Sequence, residues 1–286
     1  MSDARWDKPA PSQDPHGGLP LARPVFNESR PCPDLSVRVT APCISPVWAI
    51  FEIIVIFGIL FLLPALFRLL FGESPTWIPA SLIKFGIYGR VLIMGSLVTL
   101  AILWFLRQDR QPLRAVGLHL KNLEDEIWTA FWSLGIIFVF NMGVMIAVSV
   151  FLPEMIAKLA KERSEVMRLF PLISPIWLIV ITAFVGFYEE LVFRGFLITR
   201  LKVLTGNIWA AVLISSILFG VSHAYQDNLA MIQITVIGFI FGTMFVLRKS
   251  LISPILAHMA FDFINLALAF AASKIPVEEM EKMLSQ

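Results

Sequence analysis

The chain has 286 residues, 57% of them hydrophobic and only 15% charged, with a net charge of +2 at pH 7 and a mean hydropathy of +0.78. That balance excludes an ordinary soluble domain, which carries more charge and fewer long apolar blocks. No basic cluster interleaved with aromatics points to a nucleic-acid partner.

Residues 1–46 are Pro-rich and polar and read as a disordered tail. No apolar core follows Met1, so the segment does not read as a secretory signal. Cys32 and Cys43 lie in this tail without metal-ligand spacing, free to pair or to remain thiols. Seven apolar runs follow, near 47–70, 88–106, 127–152, 172–199, 207–224, 229–247 and 251–272. Each is long enough to cross a bilayer as a helix, which takes about 20 residues. Trp48, Trp104, Trp128, Trp177 and Trp209 fall near run ends, as in an interfacial aromatic belt. The fold expected is all-α: a polytopic transmembrane helical bundle of about seven to eight spans over 47–272, ending in a short polar tail at 273–286. Such a protein is integral to a membrane, expected to be the cell (plasma) membrane, with lipid as its surroundings.

Loop charges orient the bundle. Lys and Arg on the side of the N-terminal tail outnumber those on the other side by 14 to 8. The positive-inside rule then puts the tail in the cytoplasm and the 225–228 turn on the far side. The 153–170 segment, with Lys158, Lys161 and Arg163 among Glu162 and Glu165, reads also as an amphipathic helix lying on the surface. Residues 107–126 form a polar connection containing Pro112.

The first three spans hold few polar residues. Arg90 lies near a run end and can snorkel, and Glu52 reads as an interfacial acid. The last four are different. Glu189 and Glu190 close an uncharged stretch, 172–187, and are followed by Arg194. A charged side chain at bilayer depth costs about 2.5–3.5 kcal/mol on insertion scales, so it faces a polar interior. Glu190 and Arg194, four apart on a helix, share a face and can pair. Glu189 is turned by about 100° and stays free to work. Phe219 and His223 are four apart in the next span, and His258 and Asp262 four apart in the last. Gly238 and Gly242 form a GxxxG that reads as a packing face.

A glutamate and two histidines support two chemistries. Glu189, His223 and His258 can bind a divalent metal such as zinc, leaving a position for water. Alternatively a Glu and a His hold a water directly, the Glu taking its proton as it attacks a carbonyl, while the other His and Asp262 stabilise the oxyanion. Both are hydrolyses. Neither the zincin helix motif nor the serine elbow is present.

Glu189-Glu190-x-x-x-Arg194, Phe219-x-x-x-His223 and His258-x-x-x-Asp262, in this order on successive spans, resemble the CAAX prenyl protease and bacteriocin-processing family of intramembrane endopeptidases. The resemblance covers roughly 170–270. It implies a peptidase, metal-dependent or glutamate-dependent, acting on a membrane-associated peptide or protein. It implies Glu189 as general base with His223 beside it on the water, His258 and position 262 at the oxyanion, and Glu190 with Arg194 in support. Prenyl proteases usually carry Asn at that last position. An ionised Asp262 cannot donate a hydrogen bond, so it must be protonated or help hold a metal.

One depth must accommodate all these groups. Counting about 1.5 Å per residue from the turns, Glu189 and His223 agree, and His258 joins them if the 196–208 hairpin projects beyond the bilayer by about 10 Å. Arg200 and Lys202 suit such a projection, and Tyr225, Gln226, Asp227 and Asn228 would then line a wet cavity. The rival readings are a transporter or channel lined by these charges, which would need polar residues at several depths, and a non-catalytic scaffold or immunity protein.

Overall fold

Residues 42–71, 86–120, 122–167 and 169–272 are described by a computed structural model. The polar tails expected at 1–46 and 273–286 lie outside the described residues, apart from 42–46. All secondary structure among the described residues is helical. In chain order, α1 (Pro46–Phe57) runs through a π-turn (Gly58–Leu62) into α2 (Leu63–Phe71). Next come α3 (Gly86–Gln108), a 3-10 turn (Leu113–Val116), α4 (Leu123–Phe151) and α5 (Pro153–Met167). Then α6 (Pro175–Glu190) passes through a second π-segment (Leu191–Leu197) into α7 (Ile198–Thr205). α8 (Ile208–Ser222), α9 (Asn228–Arg248) and α10 (Ile252–Ala272) complete the order.

Local chemistry sets many of these ends. Ser45 accepts from the Trp48 N–H ahead of Pro46, which suits the first helical position. Asn207 accepts from Trp209 and Ala210 N–H, after Gly206 makes the left-handed turn at φ 68°. Asp227 caps α9 through the Ala230 N–H at 2.7 Å.

Among the described residues, six helices are long and apolar enough to cross a membrane, α1 with α2 counting as one and α6 with α7 as one of 31 residues. Their outer faces are apolar, with Val139 73% and Trp132 66% exposed on α4. An exposed apolar surface of that extent requires lipid, and the protein is an integral membrane protein.

The run expected at 207–224 is a helix of only 15 residues. At about 1.5 Å per residue it reaches about 22 Å, short of a hydrocarbon core of about 30 Å. The turn after it therefore lies within the bilayer's depth rather than beyond it. The α6–α7 helix, at about 46 Å, overshoots in the other direction, as a projecting hairpin requires.

That hairpin is not solvated throughout, however, and only its tip at 204–207 is exposed. Arg200 is fully buried and holds Glu52 at 2.7 Å and Asp109 at 2.9 Å. Glu52, expected at the interface, is fully buried too. Arg194 and Arg200 thus do not act as loop cations, and the charge bias orienting the bundle shrinks from 14 against 8 to 12 against 8. The 107–126 connection is not simply polar loop either. Ala115 and Val116 are buried, and the turn lies so close to the second π-segment that a Cβ on Gly195 would come within 2.9 Å of the Val116 carbonyl. Gly117, at φ 82°, ties the turn to Leu251 through a backbone hydrogen bond.

Around this π-segment sits the core: Leu191, Val192, Phe193, Phe196 and Leu197 pack with Ile102, Phe105, Val212 and Phe245. α9 packs on α8, and α10 on α6 and α4. Gly238 and Gly242 make the first of these contacts possible, since a Cβ on Gly242 would meet Val212 at 2.9 Å.

Candidate active site

The glutamate pair ends α6, and the wider π-turn starts at the next residue. A regular helix through Arg194 was expected. Hydroxyls add donors along the wider ladder: Ser215 donates to Phe193 O at 2.7 Å, beside the Ile198 N–H, and Thr199 to Phe196 O at 2.6 Å. Such insertions concentrate at functional sites.

Glu190 is fully buried and Arg194 is 1% exposed. Arg194 Nη1 donates to Glu190 Oε1 at 2.7 Å, and its Nη2 reaches the Gly238 carbonyl at 3.4 Å. The guanidinium lies 4.1 Å over the Phe219 ring. The same Glu190 oxygen is 2.8 Å from His258 Nδ1. A carboxylate bound by a guanidinium only accepts, so Nδ1 carries the hydrogen and donates. Glu190 therefore sets the orientation of the His258 ring.

The ring's other nitrogen faces two further acids. Nε2 lies 3.5 Å from Asp262 Oδ2 and 3.8 Å from Glu189 Oε2. Glu189 is half-buried and not unrestrained: Tyr188 donates its hydroxyl to Oε1 at 3.0 Å. Oε2 is buried without a hydrogen-bond donor.

His223 follows the last residue of α8. Its Nδ1 lies 2.9 Å from the Phe219 carbonyl, which only accepts, so Nδ1 donates and Nε2 carries the lone pair. Phe219 joins the two histidines, its ring centroid 4.9 Å from His223 and 5.8 Å from His258. Glu189, Glu190, Arg194, His258 and Asp262 thus form one linked cluster, with His223 joined to it across Phe219.

One contributor, Tyr188, was not picked out from the sequence, and Tyr225 was picked out only as a cavity-lining residue. Tyr188 and Tyr225 are two of only three tyrosines in the chain, and Tyr225 stacks at 5.8 Å from His223. A phenol in an apolar helix needs a hydrogen-bond partner. That rule, applied to the residue beside the glutamate pair, is the signal that could have found Tyr188.

Metal binding by Glu189, His223 and His258 has a geometric test. Among the described residues no three His, Cys, Asp or Glu side chains gather as a ligand set. His258 Nε2 has Asp262 and Glu189 oxygens at 3.5 and 3.8 Å, without three donors converging on one centre. The donors do not fit a metal site, and what they can do together is carboxylate and imidazole acid–base chemistry.

Compared with known families, residues 171–264 match the family model of the type II CAAX prenyl endopeptidase Rce1-like proteins. No curated protein matches the chain, nor does any solved structure. The match runs from just before α6 to just past Asp262, so it takes in every residue of the cluster and leaves α1 to α5 out. Over the helices that carry this cluster, residues 171–264, the chain is similar to the type II CAAX prenyl endopeptidase Rce1-like family.

Proposed function

We propose that the protein is an intramembrane endopeptidase of the cell membrane that hydrolyses a peptide bond of a membrane-associated peptide or protein. The observation that carries the reading is the Glu189 carboxylate. One oxygen is fixed by Tyr188, and the other is buried, without a donor, and faces an imidazole.

In the reaction Glu189 Oε2 takes a proton from water as its oxygen attacks the carbonyl carbon, and His223 Nε2 accepts the hydrogen bond that holds the water. The carbonyl electron pair moves onto oxygen, where a protonated Asp262 and the Nε2–H of His258, doubly protonated and still donating Nδ1–H to Glu190, donate to it. Collapse breaks the C–N bond, and Glu189 returns its proton to the leaving amine. Glu190 and Arg194 hold the His258 ring throughout and keep their mutual charges balanced. General base catalysis of this kind contributes about 10²–10⁴-fold, and preorganised oxyanion donors a comparable amount.

The test is peptide cleavage in proteoliposomes with a chelator control. Glu189→Gln and His223→Ala are each expected to abolish cleavage while membrane expression stays normal. Cleavage retained by either variant overturns the mechanism, and loss of cleavage on chelation would bring a metal back.

A further inference from the structure

Beside the cluster, α5 and the turn between α8 and α9 enclose a cleft of about 530 Å³, within the range of ligand sites. Its far wall is Tyr225, Gln226, Asp227 and Asn228, the four residues expected to line a cavity. Tyr225 also contacts His223, so one residue of the cleft wall touches the imidazole.

The charges of the two walls can be accounted for one by one. Asp227 is spent: it accepts from Arg163 Nε at 2.9 Å and caps α9. Arg163 also donates to Gln233, which in turn reaches Asn141, so α5 is fastened to the turn and to α4. Lys158 meets Glu162 at 3.7 Å across an exposed pair, an interaction worth little. Glu165, also on the α5 wall, has no ion-pair partner among the described residues. Met155, Leu159 and Val166 supply apolar surface on the same wall.

We infer that this cleft is a substrate subsite for an internal, Lys- or Arg-bearing peptide segment flanked by apolar residues, with Glu162 and Glu165 as its specificity-determining residues. An ammonium or guanidinium there meets two carboxylates, while its stem and neighbours lie on the apolar wall. A free C-terminal carboxylate meets repulsion. The inference rests on the endopeptidase reading for its meaning, but binding tests it without cleavage.

The experiment places the protein in phosphatidylcholine proteoliposomes and titrates fluorescent peptides, identical except for Lys-Lys, Gln-Gln or Glu-Glu beside an apolar stretch. Binding is read on the Glu189→Gln variant, which holds peptide without turnover. The Lys-Lys peptide is expected to bind best, and Glu162→Gln with Glu165→Gln to weaken it about fivefold while leaving Gln-Gln unchanged, the scale of exposed ion pairs. Lys158→Glu, which adds a carboxylate, is expected to tighten Lys-Lys. An unchanged Lys-Lys preference in the double variant, or tighter Glu-Glu binding by the parent, overturns the subsite. Preferential binding without cleavage of any peptide by the wild type would instead sink the peptidase reading and leave the subsite standing.

Discussion

Arg194 and Arg200 lie on one continuous helix, both are essentially buried, and each holds a glutamate at 2.7 Å. Each guanidinium also covers a phenylalanine ring at 4.1 Å. Each glutamate keeps one oxygen without a donor. The difference lies in what surrounds the pair. Arg200 spends Nε on Glu52, Nη1 on Thr199 and Nη2 on Asp109, and Asp109 takes the Trp48 indole N–H on its other oxygen. Its neighbours are locked by these contacts, and no imidazole is among them. The Arg194 pair passes instead into His258, then to Glu189 and Asp262, the last of these 27% exposed. Buried charge in a span therefore does not mark reactivity, since the same ion pair closes a helix end in one place and aims an imidazole in the other. The closed pair also answers the transporter reading, because a polar group at a second depth here forms a tie between helices rather than a path.

Arg200→Met breaks this comparison at its strongest point. It strands two carboxylates in a buried site, which costs about 3–5 kcal/mol. Thermal unfolding in detergent is expected to report that loss, while kcat per folded molecule stays at the wild-type value. A fall in kcat with intact folding would mean that the two pairs are not separable. Arg194→Lys is the matching change at the other pair. It keeps the charge but loses the flat fork that serves Glu190 and Gly238 together. kcat is expected to drop about 10–100-fold, by roughly 1.4–2.7 kcal/mol of transition-state stabilisation, with a smaller change in stability than Arg200→Met. A smaller step removes one hydroxyl. Tyr188→Phe takes away the donor that fixes Glu189, a hydrogen bond to a charged group worth about 1.5–3 kcal/mol. It should lower kcat about 10-fold and leave KM unchanged. A change confined to KM would assign Tyr188 to substrate contact instead.

The glutamate pair, both histidines and Asp262 were legible because acids and imidazoles are rare in apolar runs and because the i, i+4 spacing has a physical meaning on a helix. The partner of Glu52 was not legible. Arg200 lies 148 positions away, and a lone acid near a span end looks the same whether it meets headgroups or a buried guanidinium. The π-segment was invisible for another reason. Leu191–Leu197 is apolar apart from Arg194 and Gly195, and the α and π ladders ask nothing different of such residues. The shortness of α8 was hidden by its apolar tail, Leu218-Phe219-Gly220-Val221, which reads as continuing span although the helix stops at Ser222. That early stop is what brings His223 and Tyr225 to the depth of the glutamates.

The attachment of α5 offers a last and weaker test, because it depends on pH with a determinate sign. Burial pushes the Asp227 carboxyl up, but the Arg163 hydrogen bond and the Ala230 N–H outweigh it and hold the group below its ordinary value of 3.8. A depressed carboxyl contributes stability that is complete above the unfolded value and is lost as pH falls through the folded one. The α5 contact should therefore remain unchanged from about pH 8 down to about pH 4.5 and loosen only in stronger acid. Hydrogen exchange of α5 amides would follow it, with Asp227→Asn raising exchange at every pH and flattening the profile. Loosening near pH 6 would mean that a group other than Asp227 governs the α5 attachment.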